Sequence, residues 1–208
     1  MKTNVIVATK ETKIQEVMHI FKEKRIRHMP VVDELGHVIG IVSGRDIKDA
    51  SPSIFHADEH LEDLLKPISS IMKEDVITAH PLDFVEEVAS LFYEHHIGCL
   101  PITEDGKLVG IITETDVLHT LVVLMGANQP SSHIQVKVEN VTGRLADVSA
   151  IFKEKKVNIT SVLVVPCKDP NYKVLAFRIQ TIDPRGIISA IEKEGYEVVW
   201  PKVPGPHL

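Results

Sequence analysis

One amino-acid pattern occurs twice in this sequence. Residues 1–8 read MKTNVIVA and residues 72–79 read MKEDVITA, and further matches follow at the same offset of 71 residues. The offset falls to 70 by Asp46 and Asp116, because the first copy carries one extra residue near Leu35. Repeats shorter than about 50 residues rarely bury a core alone. The two copies are therefore predicted to pair about a pseudo-two-fold axis and to form two related clefts.

The composition limits the classes of partner. With 208 residues, 44% of them apolar and 25% charged, the chain has the make-up of a globular protein. Its net charge of −6 argues against nucleic acid as a partner, because sequence-independent binding needs a basic face. No apolar run approaches the roughly 20 residues of a membrane span, and no signal-peptide core is visible. We expect a cytoplasmic protein without a membrane partner.

Each copy is predicted to follow a β-α-β-β-α order. Apolar residues recur at helical spacing from Ile14 to Phe21 and again from Val85 to Phe92. A short apolar run with a proline follows each helix, and then a glycine turn and a β-rich segment. These β-rich segments lie at 38–42 and 108–112, and a second helix is predicted to open at Arg45 in one copy and at Thr115 in the other.

The two copies are joined by residues 51–70, and a third unit follows them. In the linker, Leu61, Leu64 and Leu65 have helical spacing, so one or two helical turns are predicted there. A second linker at 127–132 leads to a unit at 133–201 with the β-α-β-β-α-β order of the ferredoxin-like plan. Residues 202–208 are predicted to be a loosely ordered tail. The predicted strands of the third unit are 134–138, 158–165, 174–182 and 196–200, and its helices are 145–152 and 184–193.

The doubled pattern resembles a known family. Each copy ends in a buried strand followed by Ser/Thr-x-x-Asp, which resembles a pair of CBS domains, the Bateman module that binds adenine nucleotides in many proteins. The third unit resembles an ACT domain, a small regulatory fold that often senses amino acids. The turn of that family usually reads Asn/Asp-x-Pro-Gly-x-Leu, whereas residues 140–145 read NVTGRL here. The order CBS-CBS-ACT is similar to the AcuB family of acetoin utilization proteins.

The resemblance implies an α+β architecture in three parts. CBS domain 1 would occupy residues 1–50, CBS domain 2 residues 71–126 and the ACT-like domain residues 133–201. The second copy is preceded by the lead-in 65–71, whereas the first begins at Met1. This difference suggests that the lead-in of the first copy is missing from the sequence.

The Ser/Thr-x-x-Asp motifs carry the chemistry expected of a nucleotide site. A carboxylate in the first turn of a helix can accept both hydroxyls of a ribose, and nearby N–H and hydroxyl groups suit a phosphate. The alternative is a capping box, in which the hydroxyl and the acid close the helix start reciprocally. Because the motif occurs twice in register, an adenine nucleotide is predicted to bind at least one copy. The candidate residues are Ser43, Arg45, Asp46, Thr113, Thr115 and Asp116.

The resemblance adds residues that would flank the adenine base. These residues come just before the proline of each copy, and they are Ile26, Arg27, His28, Ile97, Gly98 and Cys99. The copies differ in charge there, since the first has Arg25, Arg27 and Arg45 where the second has His96, Gly98 and Thr115. We therefore expect the arginines of the first copy to hold phosphate, with Asp116 in a less basic setting. The alternative is that these arginines form a solvated face.

In the ACT-like unit, the resemblance implies an amino-acid effector near the turn after the first strand. The candidate effector-binding residues are Asn140, Thr142, Gly143 and Asn158. The alternative is structural: Gly143 would supply the backbone freedom of a strand-to-helix turn, and Thr142 would cap the helix.

Catalytic motifs are otherwise missing from the sequence. Residues 56–60 read HADEH and fit the H-x-x-E-H zinc-peptidase motif, but a zinc site needs a third ligand, so a surface helix is predicted there. Cys99 and Cys167 are expected to be buried small hydrophobes rather than reactive thiols. No metal or cofactor is expected beyond the adenine nucleotide as a regulatory ligand.

The sequence therefore predicts a regulatory sensor that is not an enzyme. The ligand would shift populations between conformations, and two copies of the chain would form a homodimer. By resemblance, the sensor would control an unidentified enzyme of acetoin or butanediol catabolism or of linked acetate activation. The alternative function is a scaffold that binds no small molecule and only holds partners together.

Overall fold

The computed structural model describes residues 1–50 and 61–201 of the chain. The chain divides into two compact units, Met1–Leu118 and His119–Leu208. The predicted zinc-peptidase motif at 56–60 and the predicted tail at 202–208 lie outside the described residues. Across the described ranges, none of the helices is both long enough and apolar enough to cross a bilayer.

The first unit contains the two copies except for the end of the last helix, which runs past Leu118. The copies are here called repeat 1 and repeat 2, and each has two helices around an antiparallel strand pair. Both second helices begin one residue earlier than predicted, at Gly44 and Glu114. Repeat 1 consists of α1 (Ile14–Lys24), β1 (His28–Val32), β2 (Val38–Ser43) and α2 (Gly44–Ala50). Repeat 2 consists of α3 (Val85–His95), β3 (Cys99–Glu104), β4 (Lys107–Thr113) and α4 (Glu114–Leu124).

The strand predicted at the start of each copy does not form. Ala8 makes an isolated parallel bridge to Val31, and Ala79 makes the matching bridge to Ile102. In repeat 1, the N–H of Ala8 donates to the carbonyl of Pro30 at 3.0 Å, and the N–H of Val32 donates to the carbonyl of Ala8 at 2.9 Å. The prediction of a leading strand was wrong because the segment before each alanine pairs with the other repeat instead of continuing along its own.

The two repeats exchange their leading segments. Lys2 forms an antiparallel bridge to Ile111 of β4, with both backbone hydrogen bonds at 2.9 Å. Lys73 forms the equivalent bridge to Ile41 of β2, again with two bonds of 2.9 Å. The start of each repeat therefore extends the strand pair of the other, which confirms the predicted pairing of the copies.

Two equivalent glycines make room for this exchange. A Cβ atom at Gly40 would lie 2.6 Å from Met72 Sδ, and one at Gly110 would lie 2.8 Å from Met1 Sδ. Real Cβ atoms essentially never come this close to another heavy atom. The glycines in β2 and β4 thus allow the methionine of the other repeat to cross the strand.

The core of repeat 1 is completed by the segment before repeat 2. Ile68 is fully buried in this core, and Leu64 packs against its edge. Two short 3-10 helices, Leu61–Leu65 and Ile68–Ser70, carry these residues, in line with the predicted helical turns. Leu65, however, is half exposed. The other buried members are Ala8, Ile14, Val17, Met29, Val31, Val42 and Ile47.

The second unit has the predicted β-α-β-β-α-β order. Its four strands form an antiparallel sheet in the order β6-β7-β5-β8. The third strand ends at Ile179 rather than at residue 182, because Thr181 turns back to Ile179 and Ile182 is 90% exposed. The elements are β5 (Ser132–Glu139), α5 (Arg144–Glu154), β6 (Ile159–Pro166), β7 (Tyr172–Ile179), α6 (Arg185–Lys193) and β8 (Glu197–Trp200).

The two helices of the second unit cover one face of this sheet. Alternate residues of β5 and β7 are fully buried against Val148 and Phe152 of α5 and Ile191 of α6. The rings of Phe152 and Phe177 stack at a centroid distance of 4.7 Å. Such aromatic contacts and the buried aliphatic area around them supply most of the stability of a unit of this size.

The exchange between repeats can be tested at Gly40. Gly40→Val should lower the free energy of unfolding by about 1–3 kcal/mol, because the added side chain overpacks against Met72. Urea denaturation followed by circular dichroism measures the change. The control is Gly186→Ala in α6, where no atom lies within 4 Å of the added Cβ. This control should leave stability unchanged or raise it by up to about 1 kcal/mol, and equal losses in both variants would contradict the argument.

Candidate ligand-binding site

The Ser/Thr-x-x-Asp motifs form matching hydrogen-bond networks in the two repeats. In repeat 1, the N–H and hydroxyl of Ser43 donate to Asp46 Oδ2 at 2.7 and 2.6 Å, and the N–H of Asp46 donates to Ser43 Oγ at 3.3 Å. In repeat 2, the corresponding distances between Thr113 and Asp116 are 2.9, 2.6 and 3.3 Å. The capping box, which was the structural alternative for this motif, is therefore present twice.

The aspartate of repeat 1 lines a pocket of about 600 Å³. We call this the Asp46 pocket. Eight predicted residues line it: Arg27, His28, Ser43, Arg45, Asp46, Ile97, Gly98 and Cys99. The remaining lining residues were not predicted from the sequence, and they are Ile41, Gly44, Lys73, His96 and Glu114.

The aspartate of repeat 2 lines a second pocket of about 290 Å³, here called the Asp116 pocket. The predicted residues in its lining are Ile26, Arg27, His28, Gly98, Thr113, Thr115 and Asp116. Seven further lining residues were not predicted from the sequence: Lys2, Asn4, Val5, Ile6, Arg25, Ile111 and Glu114. The duplication of residues 1–8 was the available signal, since an exchanged leading segment must lie beside the other repeat.

Both pockets are built from both repeats, and this changes the expected charge distribution. Arg25 and Lys2 line the Asp116 pocket, whereas Arg45 and Lys73 line the Asp46 pocket. Arg27 lines both. The expectation that Asp116 has a less basic setting was wrong, because Lys2, Arg25 and Arg27 of repeat 1 line the pocket of this aspartate.

Two residues in left-handed conformation lead the chain into the pockets. Arg25 and His96 end α1 and α3 with φ of 52°. Residues other than glycine seldom adopt this conformation, so its occurrence at both equivalent positions marks a sharp turn common to the repeats. The turn directs Ile26 and Ile97, the next residues in each repeat, toward the sites.

Burial and neighbouring groups shift the pKa values of Asp116 and His28 in the pockets. Burial raises the pKa of Asp116, but hydrogen bonds from Thr113 and the charge of Lys2 outweigh it, so this pKa is lowered. Burial and the nearby Arg27 lower the pKa of His28, with Asp46 and Glu114 acting in the opposite direction. Asp116 is therefore charged near pH 7, whereas the ring of His28 is neutral.

The residues predicted for an amino-acid effector are not brought together within one chain. Asn140 lies beside the start of β7, where its N–H donates to the carbonyl of Asn171 at 2.7 Å. Asn158 lies beside the other end of β7, where its side chain donates to Gln180 Oε1 at 3.1 Å. The eight residues of β7 separate the two asparagines by roughly 24 Å.

The turn between β5 and α5 has one of the two structural features expected of it, the glycine in a left-handed conformation, but not the threonine cap. Gly143 has φ of 95°, which requires glycine, and its carbonyl accepts the N–H of Asp147. Thr142 does not cap the helix, because Gly143 occupies the N-cap position and no side chain bonds there. Within the described ranges, no group of three or more His, Cys, Asp or Glu side chains is placed to hold a metal ion.

Comparison with protein families identifies the first unit. The CBS domain family matches the chain at residues 1–53 and 68–123. The chain belongs to the CBS domain family, and it carries two such domains in tandem. The two segments matched include both Ser/Thr-x-x-Asp motifs and both exchanged leading segments, so the pockets described above lie within the CBS pair.

Relatives of this CBS pair occur in proteins of different kinds. A CBS domain-containing protein of Dictyostelium discoideum is 30% identical over 64% of the chain. Inosine-5′-monophosphate dehydrogenase of Aquifex aeolicus is 33% identical over 57% of the chain. The chain spans 94% of the Dictyostelium protein but 23% of the Aquifex enzyme. The likeness to the enzyme is therefore confined to part of it.

Solved structures show the same fold. A candidate acetoin utilization protein (AcuB) from Vibrio cholerae is 28% identical, with a TM-score of 0.53 over 64% of this chain and 93% of that one. The CBS domain pair of protein MJ0100, in complex with 5′-methylthioadenosine and S-adenosyl-L-methionine, is 30% identical, with a TM-score of 0.51 over 62% of this chain and 94% of that one. CBS pairs typically bind such adenosine ligands as regulatory sensors.

The two cysteines should differ in reactivity. Cys99 is buried, and burial together with Asp116 raises the pKa of its thiol to about 12, whereas Cys167 is half-buried. The expectation that both are buried thus holds only for Cys99. Iodoacetamide at about pH 8 should alkylate Cys167 and spare Cys99, because the thiolate is the nucleophile. Mass spectrometry identifies the alkylated sites. Denatured protein is the control, in which both cysteines should react. Labelling of Cys99 in the native protein at the rate of Cys167 would contradict the prediction.

Proposed function

We propose that this protein is a regulatory sensor that binds an adenine nucleotide in its CBS pair. The observation that carries the proposal is the composition of the two pockets. Each combines a carboxylate held by its Ser or Thr with two cationic side chains of its own and a contribution from Arg27. A carboxylate suits the hydroxyls of ribose, and cations suit phosphate. The adenosine ligands of the MJ0100 pair support the same class of ligand.

In the Asp46 pocket, the nucleotide would be recognised at three points. Ser43 donates to Oδ2 of Asp46, so the ribose hydroxyls would donate to Oδ1. Arg45 and Lys73 would hold the phosphate, and the adenine would lie against Ile41 and Ile97. Because the capping box already holds the carboxylate, little side-chain freedom is lost when the ribose binds.

Ligand binding would act through a change in population of two conformations. The likeness to the Vibrio acetoin utilization protein supports a role in acetoin or butanediol catabolism or in linked acetate activation, through an enzyme that receives the signal. The protein itself would not be an enzyme. We propose CBS domains at 1–50 and 71–126 and an ACT-like domain at 133–201.

The second candidate function is a scaffold that binds no small molecule. The two complete capping boxes favour it, since each Ser/Thr-x-x-Asp motif already has a structural role at a helix start. A thermal-shift screen separates the candidates. A nucleotide at about 100 times its dissociation constant should stabilise a sensor by about 2.7 kcal/mol, and no stabilisation by any adenine nucleotide would favour the scaffold.

The ribose assignment predicts the effect of Asp46→Ala. This variant should bind AMP roughly 10- to 150-fold more weakly in its Asp46 pocket, the range for a lost hydrogen bond to a charged group. Isothermal titration calorimetry with AMP, ADP and ATP measures the change. The matched control is Asp49→Ala, an exposed aspartate in the same helix that does not line the pocket. Equal affinity in wild type and Asp46→Ala would show that the ribose does not bind there.

We also propose that the ACT-like unit joins two chains, in agreement with the expected homodimer. Strand β6 lies at the edge of its sheet, and Leu163, Val164 and Val165 are 48, 54 and 42% exposed. An exposed apolar edge strand is a template for pairing with another strand. Because β6 carries no charged residue, two copies could pair antiparallel about a two-fold axis without repulsion. An amino acid could then bind near Gly143.

Charged residues in β6 should separate such a dimer. Leu163→Lys combined with Val165→Lys places like charges on both edge strands, so the variant should be a monomer. Light scattering coupled to size exclusion measures the mass. Ile182→Lys is the control, because this residue is 90% exposed and lies beyond β7. A wild-type monomer, or dimers in all three proteins, would contradict the proposal.

A further inference from the structure

Four residues line both pockets of the CBS pair. They are Arg27, His28, Gly98 and Glu114, and we call them the shared wall. A Cβ atom at Gly98 would lie 3.3 Å from Cε1 of His28 and 3.7 Å from Oε2 of Glu114. The side chains of His28 and Glu114 therefore both lie close to Gly98, and all three residues line both pockets.

The shared wall contains one permanent cation and one anion, and each comes from a different repeat. Arg27 is equivalent to Gly98, and Glu114 is equivalent to Gly44. In repeat 1 the N–H of Gly44 donates to the carbonyl of Arg27 at 2.8 Å, and in repeat 2 the N–H of Glu114 donates to the carbonyl of Gly98 at 3.4 Å. In repeat 1 the charged residue of this pair is the acceptor, Arg27, whereas in repeat 2 it is the donor, Glu114.

The other cations are divided equally between the pockets. Arg45 and Lys73 line only the Asp46 pocket, and Lys2 and Arg25 line only the Asp116 pocket. Arg27 supplies the permanent positive charge of the shared wall. Burial lowers the pKa of His28, so this histidine is neutral near pH 7 and adds no charge. Arg27 thus lies beside a ligand in either pocket.

We infer that Arg27 is a phosphate-binding residue common to both pockets, so that a phosphorylated ligand in one pocket weakens the binding of a second in the other. This inference rests on the proposed adenine-nucleotide function and specifies its regulation. A guanidinium binds phosphate through paired donors, but it carries a single positive charge, so a first phosphate leaves less of that charge to compensate a second. With Arg27 engaged, the second phosphate meets Glu114 without a compensating charge from the wall. The coupling is equal in both directions.

The coupling can be measured with variants, here called single-pocket variants, in which AMP binding to the other pocket is weakened roughly 10- to 150-fold. Asp116→Ala reports the intrinsic affinity of the Asp46 pocket for AMP, and Asp46→Ala reports that of the Asp116 pocket. Isothermal titration calorimetry of wild type then gives two constants for comparison. The second AMP should bind wild type at least about 10-fold more weakly than it binds either single-pocket variant, the lower range for a lost hydrogen bond to a charged group. Adenosine, which lacks phosphate, should show no such difference.

Arg27→Gln should remove the coupling while Arg27→Lys keeps part of it. In the Arg27→Gln background, the AMP constants should agree with those of the matching single-pocket variants. Arg45→Thr, which introduces the residue of repeat 2, is the comparator: it should weaken AMP binding in the Asp46 pocket alone and leave the coupling in place. Arg25→His should do the same for the Asp116 pocket.

The outcomes separate the inference from the function on which it rests. If AMP binds and the wild-type constants equal those of the single-pocket variants, the pockets are independent and the inference is wrong while the function stands. If one single-pocket variant binds no AMP, there is no second site to couple, and the inference is also wrong. If no adenine compound binds any variant, the proposed function fails, and the inference fails with it.

Discussion

The exchange of leading segments between the repeats is the contact on which the rest of the first unit depends. Four backbone hydrogen bonds of 2.9 Å join Lys2 to Ile111 and Lys73 to Ile41. Each bond is worth only about 1 kcal/mol net, but their geometry fixes which residues face each other across the pseudo-two-fold axis. The glycines at 40 and 110 leave room for the methionine of the other repeat, which crosses each strand there. The exchanged segments also contribute Lys73 to the Asp46 pocket and Lys2 to the Asp116 pocket.

The capping boxes explain how one motif can serve both folding and binding. The hydroxyl of Ser43 or Thr113 closes the helix start and at the same time holds the aspartate carboxylate in one orientation. An N-cap of this kind contributes about 1 kcal/mol to stability, which is sufficient to maintain it in a protein without ligand. A carboxylate that is already oriented loses less entropy when it binds. The structural and functional interpretations of the motif are therefore compatible.

Local periodicity was sufficient to predict most elements, and it failed where distant segments decide the structure. The spacing of Ile14 and Val17 predicted α1, and both residues are buried. The apolar alternation at 134–138 likewise predicted β5. By contrast, residues 1–8 look like a strand but divide their contacts between two partners, and only Ala8 is buried among them. A period of two cannot report which sheet a strand joins.

The same limitation explains the errors at the candidate sites. The repeat identified both motifs and the residues before each proline, and all twelve of these candidate residues line at least one of the pockets. Sequence proximity placed Arg25 with Asp46, whereas the fold places it with Asp116. Asn158 was likewise grouped with Asn140, although β7 separates them. The error for Arg25 came from treating a repeat as a self-contained unit, whereas the pocket of each repeat includes residues of the other.

Differences in charge between the repeats occur in the residues that line both pockets. Asp46 and Asp116 are retained, as are Gly40 and Gly110, so the exchange and the capping boxes are common to both halves. The residues of the shared wall, in contrast, differ between the repeats: Arg27 corresponds to Gly98, and Glu114 corresponds to Gly44. Two identical repeats would place equal charges symmetrically about the axis, where like charges would repel. Opposite charges from opposite repeats avoid that repulsion, and they give the two pockets a common boundary through which occupancy of one alters the field in the other.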